Sequence, residues 1–150
     1  MSNSIEFKLY NGQQILNNEP ALFAQIKSIF DSRGLSEQKE DILQCLDEEF
    51  LVWCMLKSGE CVGLAWLAFC DEENLSELCW FATDKDKVNG LEGKLLLDKS
   101  INYCKSRNIK SIKFNCLDKS WNRIRNKEHL FEKFGYKVSP DEDFDMSIDI

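Results

Sequence analysis

The sequence predicts a mixed α/β fold, one sheet with helices on both faces, in the order β-α-α-β-β-β-α-β-α-β-β. Three observations carry this. The runs 50–57 and 61–70 are apolar on both parities, so both faces of those strands need covering, and helices are the natural cover. The segment 75–117 goes strand, loop, helix, strand, the pattern of a right-handed parallel crossover. Leu22, Phe23, Ile26, Ile29 and Phe30 fall at helical spacing and give 20–33 one apolar face. The 150 residues suit a single domain spanning 1–150.

In chain order, Ile5–Tyr10 alternates apolar and polar residues, which predicts a half-buried strand closed by Asn11-Gly12. Pro20 suits the first turn of the 20–33 helix and Gly34 its stop. Ser36 can cap a second helix to about Glu49, with Ile42, Leu43 and Leu46 inward. Its other side, from Glu37 to Glu49, is acidic: either a solvated face or one wall of a site for a cationic substrate. Ser58-Gly59-Glu60 joins the two apolar strands into a hairpin, and Trp53 and Trp66 are expected in the core. Leu75–Thr83 is the next strand of the meander. A helix is expected from Gly90 to about Asn108, with Leu97, Ile101 and Cys104 on its buried side and Leu91, Leu95 and Leu96 widening it. A strand over 110–117, a helix over about 120–134 stopped by Gly135, and two short strands (136–138 and 144–150) around the acidic turn at Pro140–Asp143 complete the chain.

A net charge of −7 argues against a nucleic-acid backbone as partner and fits an amine or a basic protein surface better. No window has the apolar length of a membrane span, and the N-terminus carries no apolar signal core, so a cytoplasmic protein is expected. The seven cysteines form no CxxC pair and mostly sit in apolar runs, as reduced core residues do. With His129 the one histidine, no metal cluster is expected.

Ser76–Leu97 holds the most chemistry. A strand enters a helix through a loop containing Lys85, Lys87, Asn89, Gly90 and Gly93. Unpaired N–H groups and the helix dipole favour an anion at such a point, and glycine lets backbone approach it. The alternative is a plain Asn-Gly turn with solvated lysines.

This order of elements resembles the GNAT superfamily of N-acetyltransferases, and the resemblance covers nearly the whole chain. The family's Arg/Gln-x-x-Gly-x-Gly/Ala loop corresponds to Lys87-Val88-Asn89-Gly90-Leu91-Glu92, followed by Gly93 and Lys94. Glu92 stands where the family has its second glycine. Its carboxylate either repels a phosphate or turns away as a helix-start residue. Leu130-Phe131-Glu132-Lys133-Phe134-Gly135-Tyr136 is similar to the family's Leu-Tyr-Glu-Lys-x-Gly-Phe segment, with Phe131 in place of a tyrosine that often protonates the departing thiolate. Asn115, Asn122 and Asn126 are candidates for a nearby polar role, and Asn115 is assigned to the cofactor site.

The resemblance implies acetyl-CoA as co-substrate and no metal. It implies that the backbone of Phe81, Ala82 and Thr83 pairs with the pantetheine arm, where a bulge splays the strand from 110–117. The N–H groups of Val88, Asn89, Gly90, Leu91, Glu92, Gly93 and Lys94 hold the pyrophosphate, beside Lys87. A backbone N–H near Ala82 or Thr83 meets the acetyl oxygen. Glu77, the carboxylate inside the 75–83 strand, is the expected base for an acceptor amine on a small molecule or basic protein. The acceptor would enter over the first two helices and Asp141–Asp145. The second reading, favoured by Glu92 and Phe131, is a catalytically degenerate binding or regulatory protein on the same fold.

Overall fold

Strand β1 spans Ile5–Asn11, and three helices follow: α1 (Gly12–Asn18), α2 (Pro20–Ser32) and α3 (Lys39–Leu43). A meander of β2 (Leu51–Lys57), β3 (Glu60–Cys70) and β4 (Leu75–Thr83) leads into α4 (Gly90–Ser106). Strands β5 (Ser111–Phe114), β6 (Val138–Pro140) and β7 (Met146–Asp149) complete the order. This computed structural model describes residues 4–37, 39–114, 131–140 and 146–150.

The strands form one sheet, β1-β2-β3-β4-β5-β7-β6, antiparallel except for the parallel β4–β5 pair. Its two faces carry two cores. Ile26, Ile29, Phe30, Leu43, Cys54, Leu64 and Trp80 pack beneath α1–α3. Met55, Leu67, Phe81, Leu96, Leu97 and Ile101 pack beneath α4. The expected cover on both faces of β2 and β3 is therefore present, and Trp53 and Trp66 are buried.

Several expectations are corrected. Asn11-Gly12 starts a helix instead of a turn. The Asn11 side chain accepts the Gln14 N–H at 2.8 Å, and the Gln14 side chain accepts the Asn11 N–H at 2.9 Å, a reciprocal cap. Gly12 is required there, because a Cβ would lie 2.4 Å from the Asp47 carbonyl oxygen. The helix expected over 36–49 shrinks to Lys39–Leu43. A longer helix would end on Asp47, Glu48 and Glu49, three carboxylates at the negative pole of the dipole. In α4 the buried stripe is Gly93, Leu96, Leu97, Ser100, Ile101 and Cys104. Leu91 and Leu95, expected inward, lie on the neighbouring stripe and are exposed. Cys45 and Cys70 are exposed, whereas Cys54, Cys61, Cys79 and Cys104 are buried, all as free thiols. The strand expected at 136–138 starts at Val138, because Tyr136 N–H closes the preceding helix onto Phe131 O at 2.9 Å through Gly135 at φ +93°. Pro140 ends an edge strand, where no ladder donor is needed.

Candidate active site

Strand β4 leads into the loop before α4. It pairs with β3 over its whole length and, among the described residues, with β5 through Leu75–Ser111, Ser76–Ile112 and Glu77–Lys113. Phe114 pairs with Met146 of β7. Strand β4 also carries a bulge. The β3–β4 register jumps between Trp66–Trp80 and Leu67–Leu78, which leaves Cys79 as the extra residue. Cys79 and Trp80 consequently both face the core beneath α1–α3.

The backbone orientation beyond the bulge follows from the ladder. Asp84 N–H donates to Val62 O at 2.7 Å, so Asp84 belongs to a hydrogen-bonded pair. Antiparallel alternation then turns the N–H and C=O of Thr83 and Phe81 away from β3, while those of Ala82 face β3. With the Thr83 carbonyl taken by Arg33, the N–H and C=O of Phe81 and the N–H of Thr83 are the groups an added extended chain could meet.

Glu77 is half-buried in β4, in register with Lys113 of β5. Leu78 packs beneath α4, so alternation sends the Glu77 side chain to the opposite face, that of α1–α3. Lys113 leaves the same face as its register partner.

The loop after β4 is braced internally. Asp84 is buried and folds the turn: its Oδ1 accepts Asp86 N–H at 3.0 Å, and its carbonyl accepts Val88 N–H at 3.1 Å. Asn89 caps α4. Its Oδ1 accepts Glu92 N–H at 2.8 Å, and Glu92 Oε1 accepts Asn89 N–H at 3.1 Å. Gly93 N–H is taken by Asn89 O at 2.9 Å. Within the expected cradle this leaves Gly90 and Leu91 as the N–H groups at the helix start with no acceptor among the described residues.

The Glu92 carboxylate points to the β2–β3 hairpin. Its Oε2 meets Lys57 Nζ at 2.7 Å, and Lys57 also donates to Lys87 O at 3.0 Å. Lys57, through hydrogen bonding, and the Asn89 N–H hold the Glu92 carboxyl below the usual range. Lys87 faces the same side, paired with Glu60, which raises its ammonium pKa. A cavity of about 310 Å³ lies there, lined by Lys57, Ser58, Glu60, Val62 and Lys87. The side chains at both distinctive loop positions therefore serve the hairpin.

Phe131 is fully buried and stacks on Phe114 at 4.7 Å between centroids. Tyr136 lies edge-on to it at 6.2 Å and donates its hydroxyl to Asp98 Oδ1 at 3.0 Å. Burial, then that bond, pushes the phenol up to about 12. Lys94 is drawn to Asp98 at 3.6 Å. Asn115, Asn122, Asn126 and Asp141–Asp145 lie outside the described residues. Among the described residues no group of three or more His, Cys, Asp or Glu is placed to hold a metal, and no helix is long and apolar enough to cross a membrane.

Two residues that sequence reasoning left without a role tie α2 to this site. Arg33 Nε donates to Thr83 O and Nη2 to Thr83 Oγ1, both at 2.7 Å. Ser32 Oγ accepts Lys85 N–H at 3.1 Å. A basic residue closing a helix fits the dipole, so its sequence position announced only local capping.

Residues 19–136 match the acetyltransferase (GNAT) family. Among solved structures, the chain is similar to a GNAT-family acetyltransferase from Staphylococcus aureus Mu50 (20% identity, 97% of each chain, TM-score 0.66). It is also similar to the PaiA N-acetyltransferase from Thermoplasma acidophilum in complex with coenzyme A (17% identity, 97% of this chain and 98% of that one, TM-score 0.60). A third is the aminoglycoside 6'-N-acetyltransferase from Enterococcus faecium (17% identity, 96% and 93%, TM-score 0.64). No curated protein matches the chain.

Proposed function

The chain belongs to the acetyltransferase (GNAT) family, and from that premise we propose that it moves an acetyl group from acetyl-CoA directly to an amine of a small molecule or a basic protein. The observation that carries the reading is the bulge at Cys79, beyond which the N–H and C=O of Phe81 and the N–H of Thr83 turn away from β3 beside the loop that leads to α4. An extended pantetheine arm fits such an edge, and its phosphates would then reach the amides of Gly90 and Leu91 at the positive end of α4. The chain's own groups do the rest. Glu77, on the α1–α3 face of β4, takes a proton from the acceptor amine, directly or through water. The freed nitrogen attacks the thioester carbonyl, the new C–N bond forms, the C–S bond breaks, and the thiolate leaves to take up a proton. The N–H of Phe81 or Thr83 is available to the carbonyl oxygen as charge gathers there. Overall acidity supports a cationic acceptor.

One observation favours the second reading, a binding protein without turnover. Phe131 has no proton to give and no exposure from which to give it. Calorimetric titration with CoA and acetyl-CoA, followed by thiol release across an amine panel, separates the two. Binding with turnover supports the transferase. Binding without turnover supports the regulator, and no heat with either ligand at millimolar concentration removes both.

A further inference from the structure

Resting on the CoA reading above, we infer that Arg33 is a positioning residue for the pyrophosphate of CoA, assisted by Lys133, and that the loop lysine Lys87 is not. Arg33 comes from the end of α2, on the face of Ile29 and Phe30. It nevertheless reaches a hydroxyl on the other face. Thr83 shares the parity of Phe81, and its methyl lies toward Gly63 and Gly93, so its side chain is on the α4 side. To bond both Thr83 O and Thr83 Oγ1, the guanidinium must reach round the end of β4, beside the loop that leads to α4. Arg33 is exposed, and its Nη1 has no partner among the described residues.

A second cation faces the same place. A Cβ built on Gly90 would stand 3.6 Å from Lys133 Nζ, so that ammonium sits against the first residue of α4. A cation is misplaced at the positive pole of a helix unless an anion joins it. Two cations beside the Thr83-to-Gly90 stretch thus come from the end of α2 and from the segment after residue 130. Lys57 and Lys87 are committed to Glu92 and Glu60 on the hairpin side.

The test is titration of the full chain with CoA and with S-acetylpantetheine, which has no phosphates. Arg33→Met should weaken CoA about 10- to 100-fold, the scale of losing a hydrogen bond to a charged group. It should leave S-acetylpantetheine affinity unchanged, and Arg33→Lys should restore most of the loss. Lys133→Met should act in the same direction, and Lys87→Met should cost less CoA affinity than Arg33→Met does. If Arg33→Met weakens both ligands equally, or if Arg33→Lys rescues nothing, the residue only ties α2 to β4 and the inference fails. It fails too if Lys87→Met costs as much as Arg33→Met. If the unaltered chain takes up neither ligand, the CoA reading itself falls and this one with it.

Discussion

Replacing Glu92 should destabilise the protein without improving its affinity for CoA. A glycine at this position belongs to the family loop, so a purely local view expects Glu92→Gly to remove a repulsive carboxylate and tighten binding. The structure gives the opposite expectation. Glu92 Oε1 satisfies Asn89 N–H, and Oε2 holds Lys57 Nζ at 2.7 Å. The two side chains are 17% and 19% exposed, so their attraction is less screened than at an open surface. Glu92→Ala loses one backbone hydrogen bond, about 1 kcal/mol, and an ion pair worth at most about 1 kcal/mol. The sum, about 2 kcal/mol, lowers the melting temperature by about 4–8 °C in a domain of this size. Glu92→Gln keeps an acceptor for Asn89 and should lose about half as much.

The sign with pH follows. Lys57 and the Asn89 N–H lower the native pKa of Glu92 below 4.5. The pair's contribution is therefore full above the unfolded value and is lost as pH falls through the lower, native one. The gap between the native chain and Glu92→Gln should be constant from pH 6 to 8 and close as the medium is acidified past about pH 4. Thermal melts followed by circular dichroism read both quantities. Equal melting temperatures at neutral pH, or a gap that persists in acid, would refute the pairing. A CoA affinity that rises in Glu92→Gly would show that the carboxylate faces the ligand after all.

Three further outcomes are expected. Glu77→Gln should slow amine acetylation while CoA affinity by calorimetry stays the same; full retained turnover removes it as the base. Phe131→Tyr, which restores the family residue, should not add a proton donor, because the ring is buried against Phe114. The unpaired hydroxyl should instead cost about 1–3 kcal/mol in chemical denaturation, and a gain in turnover would contradict this. Gly12→Ala should cost about 3 kcal/mol, since its Cβ meets backbone at 2.4 Å that no rotamer can relieve, and an unchanged denaturation midpoint would show that α1 can shift freely.

The fold was legible where local pattern and burial agree. Strand β4 falls on 75–83 as expected, and the doubly apolar β2 and β3 have cores on both sides. Legibility failed where long-range terms decide. Nothing near Leu91 and Leu95 says that the adjacent stripe is the one that meets the sheet. The 36–49 helix looked sound by its apolar spacing, but three terminal carboxylates oppose the dipole. The bulge at Cys79 was expected only through the family resemblance. It explains why Cys79 and Trp80 share a core that strict alternation would divide.

The loop shows most clearly what position alone leaves undecided. Asn89-x-x-Glu92 is a capping-box spacing, so the structural role of Glu92 was present in the sequence as a local signal. The direction of its second oxygen was not, because that depends on Lys57, on a strand two places away in the sheet. The same holds for charge. Lys87 keeps the positive sign of the family position, but a side chain delivers charge where its partner stands, and Glu60 draws this one to the hairpin. A site that needs positive charge at the start of α4 must then take it from elements distant in sequence. Arg33 lies 50 residues from the Thr83 it grips. Its Nε, bound to the strand's last carbonyl, fixes the guanidinium at the corner where the strand ends and the helix dipole begins, so the charge is preorganised before any ligand arrives.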